Sequence, residues 1–287
     1  MTNTRFVSQY SVCPLFSTRT ASPRPRTGAV CACLLLLLIS VASTAQQATP
    51  RRDATALTFV SRVLTVAGGG TVVGAIADFS ASGSIAYSWG AASVYGSATI
   101  KSRGAGQFRI DSQVPGGTLS MVVSNGTGAL SLPDGMRSTI AHQDTLNVGN
   151  LTLPIICIYA AIQDTTVTII DDGVVPLGSG QARKITIQQN FPEKIDPTHS
   201  LSADTKKDYF FDPSSFRLLQ VRDTVPSRNY AVSGSIQHII GFSNYQISNG
   251  ILFPLSIAES VDGQSTWSLA LTSVTFNTGL SDSDFQF

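Results

Sequence analysis

Cysteine is scarce in this chain, and its distribution argues against a fold held together by disulfides. Three of the four cysteines, Cys13, Cys31 and Cys33, lie near the N-terminus. Beyond residue 45 only Cys157 remains, so the sequence offers it no partner for an intramolecular bond. It sits inside an uncharged apolar run, where a thiol behaves as a small hydrophobe. We therefore predict a fold that depends on its hydrophobic core.

The N-terminus lacks an apolar run long enough to cross a membrane. The run Ala29–Ala42 has about 14 residues, against the roughly 20 that a spanning helix needs. Arg24 and Arg26 precede it and the small residues 43–45 follow, which is the plan of a signal peptide. We predict that residues 1–45 are a cleaved signal peptide, that residues 46–287 form one domain, and that the protein is periplasmic or secreted. An anchored, uncleaved form is the alternative.

Charge is also sparse, at 13% of the residues. Loss of residues 1–45 would remove four of the 19 basic residues and none of the 18 acidic ones, which leaves a net charge of −3. This balance gives no electrostatic attraction for a phosphate backbone, so we predict no nucleic-acid partner.

The residues that carry most enzyme and metal chemistry are few or poorly spaced. His142, His199 and His238 are far apart in the sequence, and each is interpreted as a surface or turn residue rather than a metal ligand. No serine has the context of a hydrolase nucleophile. Asp171-Asp172-Gly173 is interpreted as a turn, and Gly68-Gly69-Gly70 as a helix stop rather than a phosphate loop. We predict no enzyme activity, no metal and no cofactor.

The residues that are present predict one helix followed by a long series of strands. Between residues 54 and 67 apolar residues recur at steps of three and four, the spacing of one helix face, and glycines follow. After residue 70 the apolar period becomes two, as in half-buried antiparallel strands. The helix face comprises Leu57, Val60, Val63, Leu64 and Ala67, and the first strand faces comprise Ile85, Tyr87 and Trp89, then Phe108, Ile110 and Val114.

The pattern also predicts that sequential strands pair as a meander. An even loop at Pro115-Gly116 puts Leu119, Met121 and Val123 on the face of Phe108 and Ile110. Leu130 and Leu132 follow through a loop over residues 125–128. The uncharged run 151–163 is predicted to be a buried helix, with a fully covered strand as the alternative. Strands resume over residues 165–170 and 182–189, and then in the segments DYFFD, FRLLQVRDT, SIQHIIGF and the closing three.

Two hairpins near the C-terminus are predicted from their apolar residues. Three-residue loops over 248–250 and 261–263 would place every large apolar side chain on one side. Phe253 would then lie between Tyr245 and Leu271. The resulting face comprises Tyr245, Ile247, Ile251, Phe253, Leu255, Ile257, Trp267, Leu269 and Leu271. Either the sheet curls over the two helices and buries this face as core, or part of the face is left for an apolar ligand.

Three C-terminal segments resemble the periplasmic outer-membrane lipoprotein carrier (LolA-like) superfamily. They are YFFDPSSFRLLQVRD, FSNYQISNGILFPLSI and VTFNTGLSDSDF. The resemblance covers residues 54–287. It implies an α+β, mainly antiparallel β fold: an incomplete half β-barrel, closed on one side by helices, with an apolar interior that accepts acyl chains.

The resemblance and the apolar faces together give the candidate site. In the carriers an arginine on an early strand holds the helical lid, and Arg103 in IKSRGAG is the nearest positional match, although the family's following proline is Gly104 here. The predicted cavity residues are Phe108, Ile110, Leu119, Met121, Val123, Leu130, Ile155, Tyr159, Tyr245, Phe253, Leu255, Trp267 and Leu269.

The functional hypothesis is a monomeric, non-enzymatic carrier or binding protein. Its ligand would be an acyl chain, a lipoprotein or another apolar molecule, and its partner an outer-membrane or envelope protein. The alternative is a secreted structural or adhesion module whose strands pack on each other without a cavity. Whether the apolar faces enclose an open cavity separates the two.

Overall fold

The computed structural model describes residues 50–89, 92–146, 151, 153–226 and 235–287. The predicted signal peptide and its cleavage site lie outside the described residues. Five helices and thirteen strands occur in the described part of the chain. The helices are α1 (Ala54–Val66), α2 (Gly70–Gly74), α3 (His142–Thr145), α4 (Pro154–Gln163) and α5 (Ser200–Asp204), with a 3-10 helix at Asp282–Phe285.

The strands form one antiparallel sheet. They are β1 (Asp78–Trp89), β2 (Ala92–Arg103), β3 (Gln107–Val114), β4 (Gly117–Ser124), β5 (Thr127–Ser131), β6 (Arg137–Ile140), β7 (Val167–Leu177), β8 (Gly180–Gln189), β9 (Lys207–Phe211), β10 (Leu218–Pro226), β11 (Ser235–Ser248), β12 (Ile251–Val261) and β13 (Gln264–Phe276). The order β6-β5-β4-β3-β2-β1-β13-β12-β11-β10-β9-β8-β7 contains two meanders joined by the β1–β13 pair. The sheet is open between β6 and β7, so the predicted incomplete barrel is confirmed.

The predicted meander register is confirmed in β3 and β4. Phe108 lies opposite Val123 and Ile110 opposite Met121, with Pro115-Gly116 as a two-residue turn. The next turn is shorter than predicted, because Asn125 and Gly126 both have positive φ and β5 already begins at Thr127. Short turns of this kind match the right-handed twist of paired strands.

Helix α1 forms where its spacing predicts it. Its buried residues are Ala56, Phe59, Val60, Val63 and Leu64. Phe59, which the predicted face omitted, contacts the rings of Phe211 and Phe216 at centroid distances of 5.6 and 5.2 Å. The helix ends before Gly68, as predicted, but Gly70 begins α2 instead of belonging to the stop. A Cβ on Gly68 would lie 2.4 Å from the carbonyl oxygen of Gly250, so the link between α1 and α2 packs tightly on the β11–β12 turn.

The central apolar run contains a helix, α4, which confirms the prediction and excludes the strand alternative. Pro154 opens it, where a missing N–H is tolerated. Its C-terminal end is held by Arg52, whose guanidinium donates to the carbonyl oxygens of Ala161, Ile162 and Val167 at 3.2, 2.7 and 3.1 Å and also to that of Asp164. A cation at this position satisfies the last carbonyl groups and opposes the helix dipole.

Replacing Arg52 with methionine is expected to lower the free energy of unfolding by about 1 to 2 kcal/mol, because charge-assisted bonds to part-buried carbonyls are lost. Arg51→Met is the matched control. The Arg51 side chain is 67% exposed and its ion pair is with Asp53, so its loss should cost no more than about 0.5 kcal/mol. Denaturant titration measures both. Equal effects would show that Arg52 does not support α4.

Two predicted boundaries are wrong in the middle of the sheet. Asp171–Gly173 is not a turn: it is a bulge inside β7, where Gly173 has a φ of 80° and the register against β8 shifts. The segment SIQHIIGF and the strand after it are one strand, β11. A bulge and a tight turn use the same glycine conformation, so the local sequence does not separate them.

The predicted registers of both C-terminal hairpins are wrong. Asn249-Gly250 forms a two-residue turn with φ values of 50° and 79°, which puts Ile247 opposite Leu252 and Phe253 opposite Gln246. Asp262-Gly263 forms the same kind of turn, and a bulge after Glu259 leaves Ile257 opposite Leu269. Ile247, predicted to be on the covered face, is 75% exposed.

Strand β12 is covered on both faces near the tip of the first hairpin, which explains the misleading apolar pattern. Phe253 is fully buried against Phe79 and Phe276, at ring distances of 5.9 and 6.0 Å. Leu252, Pro254 and Tyr245 line a small cleft with α1 and α4. Because neighbouring residues face two different covers, the apolar residues need not alternate.

Candidate functional site

A cavity of about 360 Å³ lies on the inner face of the sheet. We use inner face for the side that carries Phe108, Met121 and Leu269. Strands β1, β3, β4, β5, β6 and β10 to β13 contribute to the wall. The lining residues are Ile85, Tyr87, Phe108, Ile110, Leu119, Met121, Leu130, Ile140, Asp144, Leu151, Asp223, His238, Glu259, Trp267 and Leu269. The volume falls in the range of roughly 300 to 1,000 Å³ that is usual for small-molecule sites.

Seven of the predicted cavity residues come together in this wall. They are Phe108, Ile110, Leu119, Met121, Leu130, Trp267 and Leu269. Strand pairing produces this arrangement: Ile110 lies opposite Met121, and Met121 lies opposite Leu130. Side chains at paired positions share a face, so three neighbouring strands present one apolar surface.

The other six predicted residues lie elsewhere. Val123 and Phe253 are fully buried in the core, and Leu255 packs partly buried against it. Ile155 and Tyr245 line the small cleft beside α1. Tyr159 packs on α2, where its hydroxyl lies 2.4 Å from the position of a Cβ on Gly74. None of the six residues lines the cavity.

Arg103, predicted to hold a helical lid, instead holds the C-terminal segment. Ser102 pairs with Phe108, which is in the cavity wall, so Ser102 lies on the inner face. Arg103 is the next residue along β2, and its side chain therefore lies on the opposite, outer face of the sheet. Its guanidinium donates to the Leu280 carbonyl at 3.2 Å and to the Asp282 carboxylate. The predicted contact with the helices is therefore wrong.

The sequence prediction missed an ionic network that borders the cavity. His238 donates to Asp223 at 2.5 Å and to Glu259 at 2.9 Å. Asp223 also accepts from Lys207, and the second oxygen of Glu259 accepts from the Thr266 hydroxyl. The interpretation of His238 as a surface or turn residue is wrong, because its side chain is only 16% exposed and carries two ion pairs.

The period-two pattern contained a signal for this network. In SIQHIIGF, His238 lies on the same strand face as Ile240 and Phe242, both of which are buried. Glu259 stands two residues from the buried Ile257, and Asp223 two residues from the buried Val221. Each of three neighbouring strands therefore has one charged residue at a position that faces inward, and this pattern predicts a polar cluster on the inner face.

The network favours the charged forms of His238 and Asp223. Burial by itself would lower the pKa of His238, but the hydrogen bonds to Asp223 and Glu259 outweigh it and raise the pKa to about 9. The bonds from His238 and the charge of Lys207 hold the pKa of Asp223 below its usual value, against the opposing effect of burial. Burial lowers the pKa of Lys207 and raises that of the neighbouring Cys157 thiol to about 11, so Cys157 remains protonated at neutral pH.

Stability is expected to fall as the pH rises through about 9. The pKa of His238 near 9 in the folded protein exceeds its value of 6.5 in an unfolded chain, so its contribution is complete below pH 6.5. Deprotonation would remove up to about 3 kcal/mol from the free energy of unfolding, at ~1.4 kcal/mol per unit. Denaturant titrations between neutral pH and about pH 10 measure the loss.

His238→Gln is the control for this pH dependence. Lys207, whose pKa is lowered by burial, titrates in both proteins, so the difference between their pH profiles isolates the histidine. The variant should lose less stability over the same range. Parallel profiles would contradict a charged His238 in the network.

Neither a metal site nor a membrane-spanning helix is found in the described ranges. No group of three or more histidine, cysteine, aspartate or glutamate side chains there is arranged to hold a metal ion. None of the helices there combines the length and the apolar character needed to cross a bilayer.

The sequence matches no protein-family model and no curated protein. Among solved structures, a LolA superfamily protein from Nitrosomonas europaea is similar at a TM-score of 0.50 and 10% identity, over 79% of this chain and 97% of that chain. A DUF1329 family protein from Desulfovibrio piger is similar at a TM-score of 0.50 and 11% identity, over 81% of this chain and 96% of that chain.

The chain has a LolA-like fold. At these identities the similarity concerns the arrangement of the strands and helices, and it confirms the resemblance that the C-terminal segments indicated. Within this LolA-like fold, the cavity is lined on one side by strands of the β1–β6 meander and on the other side by β10 to β13.

Proposed function

We propose that this LolA-like protein is an exported, non-enzymatic carrier or binding protein for an apolar ligand, such as an acyl chain or the lipid part of a lipoprotein. The cavity carries this proposal. Its wall is built mainly from aliphatic and aromatic side chains of successive strands, and the helices leave it unfilled. An apolar ligand that displaces water from a cavity of this size lowers the free energy, because its own apolar surface and that of the wall are removed from water.

The location and the domain organisation belong to the same proposal. The signal-peptide plan of residues 1–45 supports export to the periplasm or beyond, and residues 46–287 would act as a single ligand-binding domain. An outer-membrane or envelope protein would deliver or receive the ligand. The structural-module alternative requires a filled inner face, and the cavity favours the carrier.

Titration of the purified protein with a fluorescent fatty-acid analogue tests the proposal. We expect saturable binding at micromolar concentrations. Native mass spectrometry of mildly extracted protein should show a bound lipid mass. No saturable binding and no retained lipid would overturn the proposal.

A cavity-filling variant and a matched surface variant locate the binding. Met121 lines the cavity, so Met121→Trp should reduce binding at least about tenfold by occupying the space. Ile247→Trp adds the same ring at a position that is 75% exposed and should bind like the wild type. Unfolding midpoints of both variants separate lost binding from lost folding.

A further inference from the structure

The volume of the cavity limits how much of an apolar ligand it can cover. This volume is about 360 Å³. An apolar protein cavity of about 150 Å³ accommodates benzene, which has six carbons, so each carbon needs roughly 25 Å³. On that scale the cavity in this protein has room for about 14 carbons, which is the size of one acyl chain.

The apolar part of the wall extends across several strands, which suits an extended chain. Ile110, Met121 and Leu130 are successive cross-strand partners on β3, β4 and β5. Trp267 and Leu269 continue the lining on β13. Because apolar contact has no preferred direction, methylene groups can lie anywhere along such a surface and gain the same free energy of burial.

The part of the inner face that lies under the helices is filled by side chains. Phe211, Phe253 and Ile158 are fully buried there. The small cleft beside α1 and α4 has a volume of about 40 Å³, which on the same scale takes at most about two carbons. A second acyl chain in this region would have to displace packed side chains, and close-packed interiors resist such insertion.

We propose that this cavity takes a single acyl chain of about 12 to 16 carbons, so that a lipid with two or three chains buries only one of them. This inference rests on the proposed function and specifies its ligand class. Each methylene group inside the cavity adds to the affinity by a similar factor. Carbons beyond about 14 remain in water and add nothing.

Unbranched fatty acids from octanoate to octadecanoate, at steps of two carbons, test the chain length. Each is used below its micelle concentration to displace the fluorescent fatty-acid analogue. Each step should tighten binding about 15-fold up to tetradecanoate, whereas the step from hexadecanoate to octadecanoate should change it less than about threefold. A continued rise of about tenfold or more at that last step, a plateau already at decanoate, or no displacement would overturn the inference and leave the carrier function standing. Failure of the fluorescent analogue to bind would overturn both.

A branched fatty acid tests whether one chain or two are covered. Tetradecanoate with a hexyl group on its second carbon has the same headgroup and main chain as tetradecanoate. If the cavity covers one chain, the branched acid should bind no more than about threefold tighter than tetradecanoate. A gain of more than about tenfold would show room for a second chain and would overturn the inference.

Two opposite substitutions of one wall residue should move the plateau in opposite directions. Leu130 is half-buried and lines the cavity on β5. Leu130→Ala should move the plateau to chains about two to four carbons longer, and Leu130→Phe to chains shorter by about the same number, because they enlarge and reduce the space. Ile247→Ala, at a position that is 75% exposed, is the control and should keep the wild-type plateau. Unfolding midpoints identify the folded variants. An unchanged plateau in either folded Leu130 variant would contradict the proposed place of the chain.

Discussion

Truncating Phe253 to alanine is expected to lower the free energy of unfolding by about 3 to 5 kcal/mol. Phe253 is fully buried, and its ring packs edge-on against Phe79 and Phe276 on two other strands. Removing it leaves a cavity where β1, β12 and β13 meet, and the loss combines transfer free energy with lost contacts. Denaturant titration measures the change.

The controls for Phe253 are its neighbours along the hairpin. Ile247→Ala changes a side chain that is 75% exposed and should cost no more than about 0.5 kcal/mol. Leu252→Ala removes a partly buried side chain from the cleft beside α1, so an intermediate loss of about 1 to 2 kcal/mol is expected. A larger loss for Leu252→Ala than for Phe253→Ala would show that the hairpin has a different register.

Replacing Lys207 with methionine is expected to cost about 3 to 5 kcal/mol, because one partner of a buried ion pair would be removed. The side chains of Lys207 and Asp223 are 5% and 4% exposed, so the carboxylate left behind cannot be resolvated easily. His238 would remain its only described charged partner. Thermal or denaturant unfolding measures the loss.

A double mutant tests whether the loss of stability comes from the Asp223 carboxylate that is left without Lys207. Lys207→Met combined with Asp223→Asn should cost less than the sum of the two single variants, because the unpaired carboxylate is then gone. Lys184→Met is the matched control: Lys184 is 25% exposed and pairs with Asp208 at 3.0 Å, and its loss should cost about 1 kcal/mol or less. Additive single effects would contradict the ion-pair explanation.

The elements of the fold were largely predictable because each depends on local spacing. Helix α1 has apolar residues on one helical face, and α4 has no charged residue to expose. The Pro115-Gly116 turn and the alternation in β3 and β4 agree with each other, so their register follows from the chain alone. The seven predicted residues that line the cavity all lie on strands, namely β3, β4, β5 and β13.

The errors fall where tertiary contacts override alternation. Strand β12 is covered on both faces near the hairpin tip, so a rule that puts every apolar residue on one side selected the wrong loop length. Arg103 was predicted to contact the helices because of its position in the sequence. Side chains alternate between the two faces along β2, however, and this alternation places Arg103 on the outer face. His238 was judged by its spacing from other histidines, whereas its partners come from two neighbouring strands.

The sequence by itself determined that this chain has helices before and within a long antiparallel meander, because the periods of 3.6 and 2 are local properties of the chain. It also indicated apolar strand faces larger than its helices could cover. Only the tertiary structure decided that β1 pairs with β13, that the open sheet leaves a cavity, and that a charged and aromatic end borders it. These features depend on pairing between residues up to about 200 positions apart, such as Phe79 with Phe276, and such pairing is set by the free energy of the whole sheet rather than by any one segment.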